Sequence, residues 1–123
     1  MEQSSKTLTF VVPAYNMETY LERCVESLLS ATDNSDIEVL IVDDGSSDGT
    51  PELADMYERR WPGNVRAIHQ VNKGHGGAVN TGIANATGMY VKVVDADDWV
   101  DMPSIDTLMG TLRVQRVATD PVD

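Results

Sequence analysis

The residues best suited to chemistry are three aspartates, Asp95, Asp97 and Asp98, which stand within four positions of one another. Carboxylates crowded into one cleft repel each other, and a divalent cation removes that repulsion while using the oxygen ligands that hard ions prefer. Aspartates are also common in solvated turns that lead into helices. Because an apolar, strand-like run (residues 90–94, YVKVV) comes directly before them, the sequence favours a Mg²⁺ or Mn²⁺ site.

A second acidic segment, DDGSSDGT (residues 43–50), follows another apolar run, IEVLIV. Asp43 and Asp44 at a strand end could accept hydrogen bonds from a nucleotide base or a ribose hydroxyl, as acidic residues do in other nucleotide-binding folds. The same segment also fits part of a calcium-binding EF-hand loop. That loop needs a helix on both sides and a glutamate at its last position, where this sequence has Asp55, and Pro51 falls inside it. A nucleotide contact is therefore the favoured prediction.

A third segment, NKGHGGAVNTG (residues 72–82), is rich in glycine. It matches neither the Walker phosphate loop nor the dinucleotide-binding pattern. Glycines nevertheless allow the backbone to approach a ligand closely, and Lys73 could offset the charge of a diphosphate. We expect residues 72–77 to form a loop near the ligand, with Lys73 and Gly74 beside it. A lone histidine such as His75 is more typical of a solvated side chain.

The elements that must position these segments alternate between strands and helices. The predicted strands are residues 8–13, 37–42, 65–69 and 90–94, and the predicted helices are residues 17–30, 51–60, 77–85 and a last one opened by Pro103. Asn16 is the predicted N-cap of the first helix, and Thr50 that of the second, with a proline in the first turn. Trp61 and Trp99 are interpreted as packing residues. Residues 118–123 are predicted to be a frayed tail.

Strands separated by helices predict an α/β fold with a parallel sheet and helices on both faces. Right-handed crossovers restrict the strand order, and a chain that winds outward through three strands and then doubles back gives 3-2-1-4. Ligands in such sheets bind outside the carboxyl ends of the strands, here at the switch point between strands 1 and 4. Those ends carry residues 13–16 (PAYN), 43–44 and 95–98. The acidic segments are therefore expected to face one pocket.

Composition excludes several classes of function. The 123 residues fit one compact domain, 1–123, and the formal net charge of -11 disfavours nucleic acid and anionic membrane surfaces as partners. No apolar stretch reaches the ~18 residues of a membrane span. Cys24 is the only cysteine, so it cannot form an intrachain disulfide, and its apolar neighbours at helical spacing predict a buried structural thiol. A cytoplasmic location is expected.

Taken together, four segments resemble the family 2 glycosyltransferases, inverting enzymes of the GT-A fold. They are FVVPAYN, IVDDGSSDGT, NKGHGGAVNTGI and GMYVKVVDADDW, and the resemblance extends over residues 7–112 in the same order and spacing. It implies a Rossmann-like GT-A half-domain that binds a nucleotide-diphosphate sugar, with a UDP-sugar as first choice and Mn²⁺ or Mg²⁺ as cofactor. The implied acceptor is a saccharide or a lipid-linked molecule, used in polysaccharide synthesis, with the full-length protein in the cytoplasm or at the inner face of the membrane.

The resemblance also implies roles for single residues, either toward the nucleotide sugar or toward the metal. The implied nucleotide-sugar site comprises Pro13, Ala14, Tyr15, Asn16, Asp43, Asp44, Lys73, Gly74, Asp95 and Ala96, and the implied metal site comprises Asp97, Asp95 and Asp98. Tyr15 would stack on the base and Asp44 would hydrogen-bond to it. Asp48 would help to shape the loop.

One departure from the family concerns catalysis. The family's acceptor site and general base lie well beyond the aspartate triplet, and the four acids in residues 99–123 lie in no recognisable base motif. No catalytic residue is therefore expected within this chain. We expect the donor-binding half of a truncated, split or decayed protein that binds nucleotide diphosphate weakly and does not transfer sugar alone.

Three other classes of protein share some of these features. A nucleotidyltransferase would carry a phosphate loop rich in glycine and basic residues after the first strand, where this chain has PAYNMET. A phosphoacceptor signalling domain would carry acidic residues at that strand, which has none. A non-catalytic nucleotide-sugar-binding module or pseudoenzyme remains open as an alternative.

Overall fold

The computed structural model describes residues 6–119 as a single sheet with helices on both of its faces. In chain order the elements are β1 (Leu8–Ala14), α1 (Leu21–Leu28), β2 (Ile37–Asp44), α2 (Thr50–Arg60), β3 (Val65–Gln70), α3 (Gly74–Asn85), β4 (Tyr90–Val93) and α4 (Met102–Thr119). The four strands are parallel and lie in the order β3-β2-β1-β4. The predicted fold class and strand order are thus confirmed. No described helix is both long enough and apolar enough to cross a membrane.

Two apolar clusters hold the sheet between its helices. On one face, helices α1, α2 and α4 bury side chains such as Tyr57 and Met109 against β1 and β2. On the other face, Ala78 of α3 packs against Val11 and its neighbours. Gly82 allows this close approach, because a Cβ atom at that position would collide with the Val11 side chain. Small residues at two turns of α3 therefore let that helix lie directly on the strands.

Glu38 ties several strands together at the amino-terminal edge of the sheet. It is only 3% exposed, and its Oε1 accepts hydrogen bonds from the Thr9 hydroxyl at 2.8 Å and from the Thr87 amide at 3.0 Å. Its Oε2 accepts a hydrogen bond from Arg66 Nη1 at 2.9 Å. One buried carboxylate thus links β1, β2, β3 and the turn before β4.

Helix α1 begins later than predicted, at Leu21 instead of residue 17. The Met17 carbonyl accepts hydrogen bonds from the amides of Tyr20 and Leu21, so residues 17–20 form a turn that precedes the helix. The predicted N-cap is also wrong. Asn16 has a φ of 53°, and its Oδ1 accepts a hydrogen bond from the amide of Ser47, 31 residues away. Asn16 joins two loops and caps no helix.

Other helix boundaries differ from the predictions for related reasons. The predicted N-cap Thr50 is the first residue of α2, and its hydroxyl accepts a hydrogen bond from the Met17 amide. The predicted glycine loop is partly helical, because α3 begins at Gly74 instead of residue 77. Helix α4 continues to Thr119, into the segment predicted to be frayed; residues 120–123 lie outside the described residues.

Candidate functional site

A pocket of about 350 Å³ opens at the carboxyl ends of β1, β2 and β4, beside the first turn of α3. Its walls comprise Pro13, Ala14, Tyr15, Met17, Asp44, Asn72, Gly74, His75, Ala78, Asp95, Ala96 and Asp97. This is the edge of the sheet at which the strand order reverses, where doubly wound sheets bind their ligands. The volume lies toward the lower end of the range for small-molecule sites.

The structure brings most of the predicted site residues together and leaves four outside the walls. Asn16 and Asp43 are bonded to neighbouring loops and do not line the pocket. Lys73 lies next to the pocket and contributes its backbone amide to Asp44. Asp98 is an exposed neighbour of the pocket wall. The sequence did not name Met17, Asn72, His75 or Ala78 as individual site residues, although the last three lie in the glycine-rich segment 72–82.

Asp44 forms the deep end of the pocket and is 2% exposed. Its Oδ1 accepts hydrogen bonds from Gln70 Nε2 at 2.9 Å and from the Lys73 amide at 2.8 Å. Its own carbonyl accepts a hydrogen bond from Asn72 Nδ2 at 3.1 Å. Gly45, with a φ of 77°, permits the close approach of the two loops, because a Cβ atom there would stand 2.8 Å from the Asn72 amide. The segment between β3 and α3 therefore fixes Asp44 in place.

His69 connects two aspartates beside this end of the pocket. Its Nδ1 lies 2.8 Å from Asp43 Oδ2, and its Nε2 lies 2.7 Å from Asp55 Oδ1. The hydrogen bond to Asp43, and then the one to Asp55, raise the pKa of His69 above its usual value, although partial burial opposes them. The Asp43 carboxylate also accepts a hydrogen bond from the Ser46 amide at 3.0 Å. This cluster stabilises the loop after β2.

We expect His69→Gln to destabilise the protein more at pH 6 than at pH 9. A raised pKa in the folded state means that the stabilisation is complete below the unfolded value, about 6.5, and is lost as the pH rises through the folded pKa. Since His69 and Asp55 are partly exposed, the loss at pH 6 should be about 0.5–1 kcal/mol. Urea unfolding of the wild type and the variant at both pH values measures it. An NMR titration midpoint for His69 at or below that of an exposed histidine would contradict the prediction.

The carboxylates of Asp95, Asp97 and Asp98 form the other end of the site. One oxygen from each lies within 4.8 Å of the others, and all three residues are exposed. The Asp98 amide donates to the Asp95 carbonyl at 2.9 Å, which closes the turn that brings the three together. His75 Nε2 lies 2.9 Å from Asp95 Oδ1, so a histidine that the sequence suggested was merely solvated contacts the acidic loop. Three hard oxygen donors on one turn fit a divalent cation such as Mg²⁺ or Mn²⁺.

Two residues of helix α1 form hydrogen bonds with the backbone of the acidic segment and of the residues that follow it. The Cys24 thiol lies 3.7 Å from the Asp95 carbonyl as a weak donor, and the Val100 amide donates to Ser27 Oγ at 3.1 Å. Burial, reinforced by the nearby aspartates, raises the pKa of Cys24 to about 12, so it is a protonated structural thiol, as the sequence predicts. Trp99 was expected to pack inside. Trp99 is instead 54% exposed, with the Arg23 guanidinium 3.5 Å from its ring centroid.

A parallel sheet in the order 3-2-1-4, with an acidic pocket at the switch point, defines an α/β domain of the GT-A type. The comparison with protein families agrees with that class and is more specific. The chain belongs to glycosyl transferase family 2, whose family model matches residues 9–119.

The relatives and solved structures that match are longer proteins, and this chain covers only part of each. The uncharacterized glycosyltransferase EpsJ of Bacillus subtilis is 45% identical over 93 residues, which are 76% of this chain and 26% of EpsJ. The structure of S. aureus TarS with UDP-GlcNAc superimposes with a TM-score of 0.79 at 26% identity, covering 89% of this chain and 32% of TarS. The mannosyltransferase PcManGT of Pyrobaculum calidifontis, in complex with GDP-Man and Mn²⁺, gives 0.74 at 27% identity, covering 98% and 34%. This chain therefore spans about a quarter to a third of the length of these proteins.

Proposed function

We propose that this chain is the donor-binding portion of a glycosyltransferase, and that its pocket holds the nucleotide diphosphate of a sugar donor. The pocket carries the proposal, because Tyr15 and Asp44 lie in the same cavity as Asp95 and Asp97. A nucleotide diphosphate offers a flat base with hydrogen-bond donors and a strongly anionic diphosphate. The ring of Tyr15 and the acceptor carboxylate of Asp44 suit the base, and the cation-binding acidic turn suits the diphosphate.

The two ends have distinct tasks in this proposal. Tyr15, which is 49% exposed, stacks on the base, and the buried carboxylate of Asp44 accepts a hydrogen bond from it. The first turn of α3 lies at the pocket wall through Gly74 and His75. Backbone amides at a helix N-terminus favour bound anions, so this turn adds to the binding of the diphosphate. The complex of TarS with UDP-GlcNAc supports a UDP-sugar as the first choice of donor.

The carboxylates of Asp95, Asp97 and Asp98 hold the cofactor, which we propose to be Mn²⁺ or Mg²⁺. When bound, such a cation supplies neutralisation of the diphosphate charge and stabilisation of the leaving group. The chain's own task is to keep the three carboxylates in one turn, through the Asp98 amide and the support of α1. The Mn²⁺ in the PcManGT complex supports a divalent metal at this site.

For sugar transfer we propose an inverting reaction to a saccharide or lipid-linked acceptor, in the cytoplasm or at the inner face of the membrane. In this proposal the general base comes from a part of the full-length protein beyond the acidic turn. The relatives are about three times as long as this chain or longer, which supports a division of labour between donor binding and acceptor binding. The 123-residue chain alone should therefore bind donor nucleotide without transferring sugar.

Calorimetric titrations of UDP, GDP and dTDP, each with and without Mn²⁺, test this function. We expect binding that requires the metal, because the diphosphate meets an acidic turn and is repelled by it without a cation. Binding to no nucleotide, or binding indifferent to Mn²⁺, would contradict the donor site. Release of UDP from a UDP-sugar on addition of an acceptor, catalysed by this chain alone, would contradict only the division of labour.

A further inference from the structure

Gln70, the last residue of β3, lies opposite Asp44 in the register of the parallel strands. Its Nε2 donates to Asp44 Oδ1 at 2.9 Å, and the Lys73 amide donates to the same oxygen at 2.8 Å. Asp44 Oδ2 accepts no hydrogen bond from any of residues 6–119. It is also not one of the fully buried atoms without a partner in that range, so it remains accessible. One oxygen of Asp44 is therefore occupied by the protein, and the other is left to accept a hydrogen bond from a ligand in the pocket that Asp44 lines.

The side-chain oxygen of Gln70, unlike its side-chain nitrogen, forms no hydrogen bond. Gln70 Oε1 is the one buried side-chain oxygen or nitrogen without a hydrogen-bond partner in the described part of the chain. Burying a carbonyl oxygen without a hydrogen-bond donor destabilises the folded state. A protein that retains such an oxygen is therefore expected to gain something from the arrangement. Turning the amide over would place Oε1 against Asp44 Oδ1, so that two acceptors would meet. The amide therefore faces Asp44 at the expense of its own oxygen.

We propose that Gln70 is a positioning and specificity-determining residue for the nucleotide base. This inference rests on the proposed function, in which Asp44 meets the base. With Oδ1 occupied by two donors, the base is left with Oδ2, which can only accept a hydrogen bond. Uracil, thymine and guanine present a ring N–H to such an acceptor. Cytosine and adenine present a ring nitrogen lone pair at that position, which Oδ2 repels, and they can donate to Oδ2 only after shifting toward their exocyclic amino group. A carboxylate that Gln70 holds in place therefore disfavours them.

The test replaces Gln70 with methionine, which has a similar length but cannot donate a hydrogen bond. The titrated ligands are UDP, CDP and inorganic pyrophosphate, all with Mn²⁺. A hydrogen bond to a charged group is lost, and Asp44 gains freedom to turn, so UDP should bind about tenfold more weakly. CDP should change little, so the preference for UDP over CDP shrinks, and pyrophosphate, which has no base, should bind as before. The control Asn85→Leu removes an exposed amide at the far end of α3 and should leave all three affinities unchanged.

Stability separates positioning from a merely structural role. Gln70→Met also removes the unpaired oxygen, so the free energy of unfolding should be equal to or higher than that of the wild type while UDP binding falls. Gln70→Glu provides a second variant, because its carboxylate repels Asp44 at neutral pH and becomes a donor again when protonated. Relative to the wild type at each pH, its UDP affinity should recover as the pH falls.

The outcomes distinguish this inference from the function on which it rests. A wild type that binds no nucleotide diphosphate in the presence of Mn²⁺ refutes the proposed function, and the role of Gln70 with it. A wild type that prefers UDP, with Gln70→Met showing the same affinities, refutes the role of Gln70 alone. An equal loss for UDP and pyrophosphate also refutes it, because the base contact would then not be the one affected. If Gln70→Met does not fold, the pH dependence of Gln70→Glu decides.

Discussion

Asp97→Asn should weaken the binding of UDP in the presence of Mn²⁺ by about a hundredfold, because it removes one charged oxygen ligand from the proposed cation site. Asp97 lines the pocket, and within residues 6–119 its carboxylate has no hydrogen-bond or salt-bridge partner. Asp95 differs, since it shares one oxygen with His75. Asparagine keeps the size of the side chain, so the change tests charge and coordination rather than packing.

The measurement is a pair of calorimetric titrations of UDP, one with Mn²⁺ and one without. Because the carboxylate acts through the cation, only the first affinity should fall, and the variant should approach the metal-free affinity of the wild type. Glu52→Gln is the matched control: it removes one negative charge from α2, outside the pocket, and should leave both affinities unchanged. Equal affinities of Asp97→Asn and the wild type in Mn²⁺ would refute the assignment of this turn to the metal.

The sheet could be predicted from the sequence because its signals are local and repeated. Each strand is a short apolar run followed by residues that break it, and the handedness of crossovers restricts the strand order. Acidic residues lie at or just after the ends of these strands, which is why the sequence places Asp44, Asp95 and Asp97 around one pocket. Those predictions depend on the periodicity of single segments and on general rules of chain winding.

The helix starts could not be predicted, because distant contacts decide them. Asn16 looks like an N-cap, but its side chain is engaged by Ser47 in another loop. Gly74 and the glycines after it are poor helix formers, yet they begin α3. Packing of Ala78 and Gly82 directly on the sheet outweighs that low propensity. Helix propensity depends on the local sequence alone and therefore accounts for neither contact.

The same limit applies to the site. Neither Gln70 nor His75 is identified as a site residue by its type alone. Folding brings Gln70 to Asp44, 26 residues away, and His75 to Asp95, 20 residues away. One cross-strand signal was available for Gln70, since the ends of neighbouring parallel strands meet and β3 follows β2 in the sheet. A polar residue at the end of β3 was therefore a reasonable candidate to contact Asp44. For His75 the signal was weaker: it lies in the glycine-rich segment expected near the ligand, but its contact with Asp95 depends on where α3 begins.

The second large effect concerns stability at the opposite edge of the sheet. Glu38→Ala should lower the free energy of unfolding at pH 7 by about 3 kcal/mol, because it leaves the donors of Thr9, Thr87 and Arg66 without their shared acceptor. Glu38→Gln keeps one acceptor oxygen but loses the charge and replaces the other oxygen by a donor NH2 group, so it should also destabilise the protein, by less than the alanine substitution does. Urea unfolding measures both changes, with Glu52→Ala, at a site without a comparable network, as the control.

The pH dependence identifies the charge as the cause. Burial alone would raise the pKa of Glu38, but the hydrogen bonds from Thr87, Thr9 and Arg66 outweigh it and hold the pKa below its usual value. A lowered folded pKa means that the stabilisation is complete above the unfolded value, about 4.3, and is lost as the pH falls through the folded pKa. The stability difference between the wild type and Glu38→Gln should therefore be constant from pH 8 to about 5 and shrink toward pH 3. A difference that persists unchanged at pH 3 would mean that Glu38 acts through shape alone, and that the network at this edge does not depend on its charge.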